Sequence, residues 1–224
     1  MRPVSTERMR QGRGIATGGR EARGHPIFAA VYDFITRPAE RKFLGSHRAY
    51  LISGLTGRVL DVGSGTGLNF GYYQPEAAVV GIEPDPYMLK RAQARADRLG
   101  RNVKLLAEGA EDLPFADGTF DAAVATLVFC TIPDLDCALR ELRRVLRPGG
   151  QLRFLEHVRA EAARWARFQD FMTPLWKRIG AGCHPNRDTV KVIENAGFRM
   201  QELTRYAFGP YPIRPFVRGI GTRV

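Results

Sequence analysis

From Arg58 onward the chain alternates between two hydrophobic periods. Short, predominantly apolar runs at 58–62 (RVLDV), 78–82 (AVVGI), 103–108 (VKLLAE), 120–129 (FDAAVATLVF) and 151–158 (QLRFLEHV) read as strands buried on both faces. Segments of helical period stand between and after them. PYMLKRAQARADRLG (86–100) is one, and DLDCALRELRRVLRPGG (134–150), with its Pro-Gly-Gly stop, is a second. AEAARWARFQDFMTPLWKRIG (160–180) predicts a helix broken at Pro174, and RDTVKVIENAGF (187–198) another, before two weaker extended segments. Such alternation predicts an α/β domain, a parallel sheet wrapped by helices. The chain shows no internal repeat and reads as one domain.

Ahead of this, HPIFAAVYDFITRPAERKFLGSHRAYLI (25–52) places Ile27, Phe28, Val31, Tyr32, Phe34 and Ile35 at helical spacing. Pro26 suits a helix start, and Pro38 is expected to break or restart the helix. The arrangement favoured here folds the apolar side over a pocket as a helical lid covering 25–56. With Arg37, Arg41, Lys42 and Arg48 nearby, the segment also resembles an interfacial helix. Residues 1–24 read as a disordered basic tail, rich in Arg and Gly, and no apolar stretch follows to make a secretory signal.

Composition changes the picture in two ways. At 224 residues and 44% hydrophobic content the chain can bury a real core. Cys130, Cys137 and Cys183 are an odd set without C-x-x-C spacing, expected to be reduced thiols of a cytoplasmic protein rather than a disulfide framework or a metal site. The net charge of +11 leaves three explanations open: nucleic acid, an anionic membrane, or a well-solvated surface.

The chemistry concentrates in VLDVGSGTGLNF (59–70). A turn leaving the first strand lets a ligand approach where Gly63, Gly65 and Gly67 lack a Cβ. A dinucleotide turn, G-x-G-x-x-G, would need glycine where Leu68 stands. Asp61, at the end of the strand, suits an ammonium group better than a phosphate. Glu83 ends the second strand, roughly 20 residues beyond the glycines, where a carboxylate accepts ribose hydroxyls. A ribose, a cationic amino-acid portion and no phosphate describe S-adenosylmethionine (SAM).

With these residues the stretch from Gly57 to Val158 resembles the class I SAM-dependent methyltransferases, of the type 11 domain. LDVGSGTG looks like their first motif, GIEPDPYML the second, EGAEDLPFADGTFD the third, and TLVFCTIPD with ELRRVLRPGG the fourth strand's end and the helix after it. The resemblance implies a Rossmann-like fold over 57–224, with a doubly wound, mostly parallel seven-stranded sheet and helices on both faces. It also implies SAM as cofactor and S-adenosylhomocysteine as product. The implied contacts are Asp61, Gly63, Ser64, Gly65 and Gly67 around the amino-acid end, Glu83 with Pro84 at the ribose, Met88, Ala110 and Glu111 around the adenine, and Thr126 at the end of the fourth strand. The family commonly has Asp where Gly109 stands here, and Glu111 is the residue that would substitute.

At the acceptor end, Glu156, His157 and His184 are the candidate catalytic groups. Each would serve as a base for a thiol or amine acceptor or brace a strand end. Trp165, Phe168, Phe171 and Trp176 read as core. No Asp/Asn-Pro-Pro-aromatic box follows the fourth strand, which holds Thr126-Leu127-Val128-Phe129, and no Pro-Cys nucleophile is present, so a nucleic-acid acceptor is not expected. TLVFCTIPD, FLEHVRAE and GAGCHPNR resemble the membrane-associated thiol methyltransferases, and VYDFITRPAE resembles bacterial phospholipid and quinone-biosynthesis methyltransferases. All three imply a small lipophilic acceptor, methylated on S or N with a thiol favoured, and transient contact with anionic membrane. The reading from another class is a SAM-binding sensor or assembly protein without catalysis.

Overall fold

The computed structural model describes residues 24–224; the basic tail read over 1–24 lies, save Gly24, outside them. Two helices, α1 (Pro26–Ala39) and α2 (Gly45–Ile52), are joined by a π-helical turn, Glu40–Leu44. Then follow β1 (Gly57–Val62), β2 (Ala77–Ile82), α3 (Pro86–Arg98), β3 (Val103–Leu106), β4 (Phe120–Thr126), α4 (Leu135–Val145) and β5 (Leu146–His157). α5 (Ala163–Ile179), α6 (Thr189–Asn195), β6 (Phe198–Ala207) and β7 (Pro215–Arg223) complete the chain. One seven-stranded sheet runs in the order β3-β2-β1-β4-β5-β7-β6, with β7 antiparallel to both neighbours. The winding reverses between β1 and β4, which places a ligand crevice at their carboxyl ends.

Alternating side chains divide between two cores, one on each face of the sheet. Leu60, Val62, Ala123, Ala125, Leu152 and Phe154 pack with α4 and α6 on one face, whereas Val59, Val79, Val124 and Leu155 pack with α2 and α3 on the other. Both helices that position the site start from an aspartate cap. Asp85 accepts the Tyr87 and Met88 N–H groups at α3, and Asp134 accepts that of Cys137 at α4. α4 buries Leu135, Ala138, Leu139, Leu142 and Val145, a stripe of helical spacing. Its helix ends before the Pro-Gly-Gly, which instead loops out at the start of β5, between the pairs Phe120–Leu146 and Ala122–Gln151.

Four expectations are corrected. α1 runs through Pro38 and α5 through Pro174. Phe34 and Asp170, whose carbonyls lose the N–H bond, are exposed, as are both prolines, so water can satisfy the freed oxygens, and after Pro38 the chain widens into the π turn. The apolar side of α1 is not folded over a pocket. Ile27 and Phe34 are each 79% exposed, and the inward side carries Ala29, Tyr32 and Asp33. Nor are the α5 aromatics core, since Phe171 is 80% exposed and Phe168 also meets solvent. α5 docks instead through Ala166, Gln169 and Thr173. The buried Gln169 accepts the Ala160 N–H and donates to the Val158, Pro185 and Pro212 carbonyls. Finally, Arg48 is 3% exposed and belongs to the interior, not to a membrane-facing surface.

Candidate active site

The glycine turn at the end of β1 uses its three glycines differently. All three have positive φ, between 56° and 80°. A Cβ on Gly63 would lie 2.2 Å from Val128, and one on Gly67 would meet the Phe70 ring at 2.6 Å. On Gly65 it would find nothing nearer than 3.9 Å among the described residues. Two glycines therefore serve packing, and the third leaves an open cradle at the end of β1. Glu83 fixes that cradle: one carboxylate oxygen accepts the Gly65 N–H at 2.9 Å and the other accepts the Asp85 N–H at 2.9 Å. Burial raises the pKa of this carboxyl above its ordinary value. Pro84 is exposed beside it, and Met88 is buried on the first turn of α3.

Beneath the turn lies a buried polar layer. Asp61 is 0% exposed, and its two oxygens accept from Asn69 (3.2 Å) and Tyr73 (2.9 Å). Burial pushes its pKa up to about 6, against the lowering effect of these bonds and of Arg48. Thr126 lies on the same face, bonded to Asn69 at 3.1 Å and to Arg48 at 2.5 Å. Arg48 also donates to Asn69 at 2.7 Å and pairs with Glu40 at 3.0 Å, so the π turn and α2 are tied to the sheet through this layer. Ser64 is buried, its N–H donating to the Ile82 carbonyl at 3.0 Å. Above the turn, Asp33 of α1 accepts from Thr66 and Arg95.

The loop after β3 is pinned by α4. Arg144 donates to the Leu113 and Phe115 carbonyls, Glu141 accepts the Leu113 N–H, and Cys137 donates to the Glu111 carbonyl. Ala110 is buried there. The Glu111 carboxylate folds back to within 2.9 Å of where a Gly109 Cβ would stand. It thus occupies the volume that a side chain at 109 would fill.

The turn after β4, where Glu156 and His184 are the candidate groups, is assembled from distant segments. Leu127 leaves β4 with φ 59°, a strained conformation for a leucine. Glu156, 0% exposed, holds the turn that follows: one oxygen accepts the Val128 and Phe129 N–H groups at 2.8 and 2.9 Å, and the other makes no such bond among the described residues. Burial raises its pKa to about 7. The loop after α5 folds onto the same turn. His184 donates its backbone N–H to the Cys130 carbonyl at 2.7 Å and sets ring Nδ1 3.3 Å from that oxygen. Arg187 donates to the Phe129 and Ile132 carbonyls, and the Cys183 thiol lies beside that of Cys130. Glu156 and His184 therefore converge on one turn. His157 does not join them: as the next residue along β5 it points to the opposite face, where Nδ1 is 2.9 Å from the Ile213 carbonyl and the ring lies against Phe216. Burial lowers its pKa to about 4, so the ring is neutral.

Comparison with known proteins agrees with this geometry. Residues 60–154 match the model of a methyltransferase domain. The thiol S-methyltransferase TMT1B of Homo sapiens is 37% identical over 191 residues, covering 80% of this chain and 77% of the relative. The chain belongs to the SAM-dependent methyltransferases. The phosphatidylethanolamine N-methyltransferase of Cereibacter sphaeroides is 35% identical over 57% of this chain and 64% of its own. Among solved structures, a SAM-dependent methyltransferase from Thermotoga maritima shares the fold at TM-score 0.65, with 22% identity over 88% of this chain and 98% of that one. This methyltransferase has its glycine turn, Glu83 and the 110–111 loop at the carboxyl ends of adjacent parallel strands, with SAM as its cofactor.

Sequence reasoning missed the Arg48–Glu40 pair and Gln169. For Arg48 a signal existed: Leu44, Arg48, Leu51 and Ile52 share one helical stripe, so an arginine stands at a core position. Gln169 gave none, because its four partners come from three separate loops.

Proposed function

We propose that this methyltransferase acts on a small lipophilic thiol and that His184 takes the thiol proton. The placement of the His184 ring carries the reading. A carbonyl oxygen only accepts, so Nδ1 facing Cys130 holds the hydrogen of the neutral ring, which makes Nε2 its basic nitrogen, and backbone hydrogen bonding to Cys130 and Gly182 orients the ring. Burial, with Lys177 and Arg187 nearby, lowers the pKa of the ring, which keeps it neutral and competent as a base near pH 7. The likeness to thiol S-methyltransferases supports sulfur as the accepting atom.

The residues present fit SAM. Gly65 offers an open cradle beside Glu83, which keeps a free lone pair on each oxygen for ribose hydroxyls. Met88, Pro84 and Ala110 would flank the nucleoside, and the Glu111 carboxylate would take the adenine amino group in place of an aspartate at 109. Asp61, sealed under the turn with Ser64 and Thr126, would act on the cofactor's ammonium through its field and through Asn69, not by contact. When bound, SAM supplies a methyl group already activated by its sulfonium. His184 would take the proton from the acceptor sulfur and so present it as the thiolate, the form able to accept a methyl group. Glu156 positions this end of the site by holding the Val128–Phe129 turn. α1, anchored through Asp33 to Thr66 and Arg95, closes over the glycine turn as a lid and excludes water. The exposed apolar side of α1, flanked by Arg37, Arg41 and Lys42, would bring the protein into transient contact with anionic membrane, where a lipophilic thiol dissolves.

Label transfer from methyl-labelled SAM to an alkanethiol, the matched alkylamine and the matched phenol tests the acceptor class. The thiol should be favoured, and preference for the amine or phenol would sink the reading. His184→Gln should lower kcat on the order of a hundredfold at pH 7, with the deficit shrinking as pH rises and the thiol ionises unaided. A deficit independent of pH would remove His184 from the base role.

A further inference from the structure

We infer that α5 is a second membrane-docking element, laid against anionic lipid through a face made of Phe168, Phe171, Leu175 and Ile179. This rests on the membrane contact proposed for α1 and extends it to a separate part of the chain.

The amphipathicity of α5 is inverted for a helix on a water-facing surface. Its inward side is small or polar, Ala166, Gln169 and Thr173, while the four apolar residues at spacings of three and four form a continuous exposed stripe on the opposite side. A stripe of this size left open to water marks a binding surface. Charge identifies the occupant. Arg164, Arg167, Lys177 and Arg178 stand at the two ends of the helix. Its one acid, Asp170, is taken up by Arg159 at 2.6 Å and by Asn186 at 2.8 Å. An apolar stripe between cationic ends matches acyl chains below anionic headgroups. A second copy packed against the same face would oppose arginine and lysine to arginine and lysine in either orientation. The N-terminal end adds interfacial aromatics: Trp165 stacks on Tyr211 with ring centroids 4.2 Å apart, and the Arg164 guanidinium lies 5.5 Å over the indole. The loop leaving α5 carries His184 onto the Cys130 turn, so lipid against α5 would lie beside the route to the base.

Both tryptophans of the chain, Trp165 and Trp176, lie on α5, so the unaltered protein reports on this helix alone. The full chain is mixed with vesicles of phosphatidylcholine and phosphatidylserine, three parts to one, with or without bromine on the acyl chains. Binding is read by flotation and α5 insertion by quenching of tryptophan fluorescence. Flotation with quenching by the brominated lipid is the expected result. Phe171→Ser with Leu175→Ser, both at exposed positions, should weaken binding about tenfold or more. Flotation without quenching, or a serine variant that binds like the wild type, overturns docking by α5 and leaves the α1 contact standing. No flotation at all overturns both. If the chain self-associates in sedimentation and the serine variant does not, the face belongs to a second copy instead.

Discussion

Asp61 and Glu156 end strands on either side of β4, both fully buried and both with raised pKa values, yet their surroundings differ. Both Asp61 oxygens are taken by side chains, and Arg48, Thr126 and Glu40 extend the same network. Glu156 spends one oxygen on two backbone N–H groups, and the other makes no such bond among the described residues. The cofactor end thus rests on a satisfied layer of side chains that fixes a rigid turn. The turn after β4, by contrast, is a strained piece of main chain held by the Glu156 carboxylate and, from the loop after α5, by Arg187 and the His184 N–H. One half is therefore held by side chains bonded to one another, and the other by side chains that reach to main chain from two separate segments.

The sharpest way to break the first half is Arg48→Met. The substitution leaves Glu40 and Asp61 without their buried cation, and removing one partner of such a pair costs roughly 3–5 kcal/mol. Urea denaturation should show that loss, and a change below about 1 kcal/mol would mean that the layer is not the support described. The corresponding break in the second half is Glu156→Ala, which strands the Val128 and Phe129 N–H groups and opens a cavity, for about 2–4 kcal/mol.

Glu156→Gln then separates charge from bracing. The folded protein keeps a proton on Glu156 up to about pH 7, whereas the unfolded chain releases it near 4.5. Folding takes up a proton between those values, so stability falls as pH rises through the window, by something on the order of 3 kcal/mol across it. Asp61 adds a slope of the same sign between 3.8 and about 6, which the Gln variant retains. Melting curves at pH 5 and pH 8 should therefore show the Gln variant gaining on the wild type as pH rises. Parallel losses in both proteins would place the Glu156 pKa in the ordinary range.

The two halves were unequally legible in the sequence, for a physical reason. Asp61, the three glycines and Glu83 follow from one strand-turn unit and the next strand, so local spacing alone identifies them and fixes the place of the sheet's switch point. The alternation of periods was enough for a parallel sheet wrapped by helices, and the family resemblance supplied its seven-stranded, doubly wound form. At the acceptor end, Glu156, Val128, Cys130 and His184 meet only through tertiary folding, and no spacing relates them. There the sequence offered His157 on equal terms with Glu156, and only strand alternation in three dimensions separates the two. The α1 and α5 stripes were visible as helical periods, but period does not say which side faces the protein. Small inward residues and Gln169 turned α5 over.

The glycine turn offers a finer test within the cofactor half. Gly63→Ala drives a Cβ into Val128 and should cost roughly 2–3 kcal/mol of stability. Gly65→Ala meets no such obstacle and should cost only about 1–2 kcal/mol, from its φ of 56°. Its larger effect should fall on the cofactor: a methyl group in the cradle should weaken SAM binding by about tenfold or more, measured by calorimetry. Equal cofactor affinity in the Gly65 variant and the wild type would move the cradle elsewhere.

His157→Gln should have the smallest effect of all. The ring is neutral, faces away from the Cys130 turn and contributes a bond to Ile213 and contact with Phe216. Glutamine can donate to the same carbonyl but cannot pack against Phe216 in the same way, so about 1 kcal/mol of stability should be lost. The rate with a thiol acceptor should stay within about twofold, because no proton passes through a group on that face of the sheet. A rate loss as large as that of His184→Gln, with stability intact, would show that the acceptor reaches the β7 side of β5. Of the two halves, the acceptor end is the one that would then have to be rebuilt around His157, while the layer beneath the glycine turn would stand.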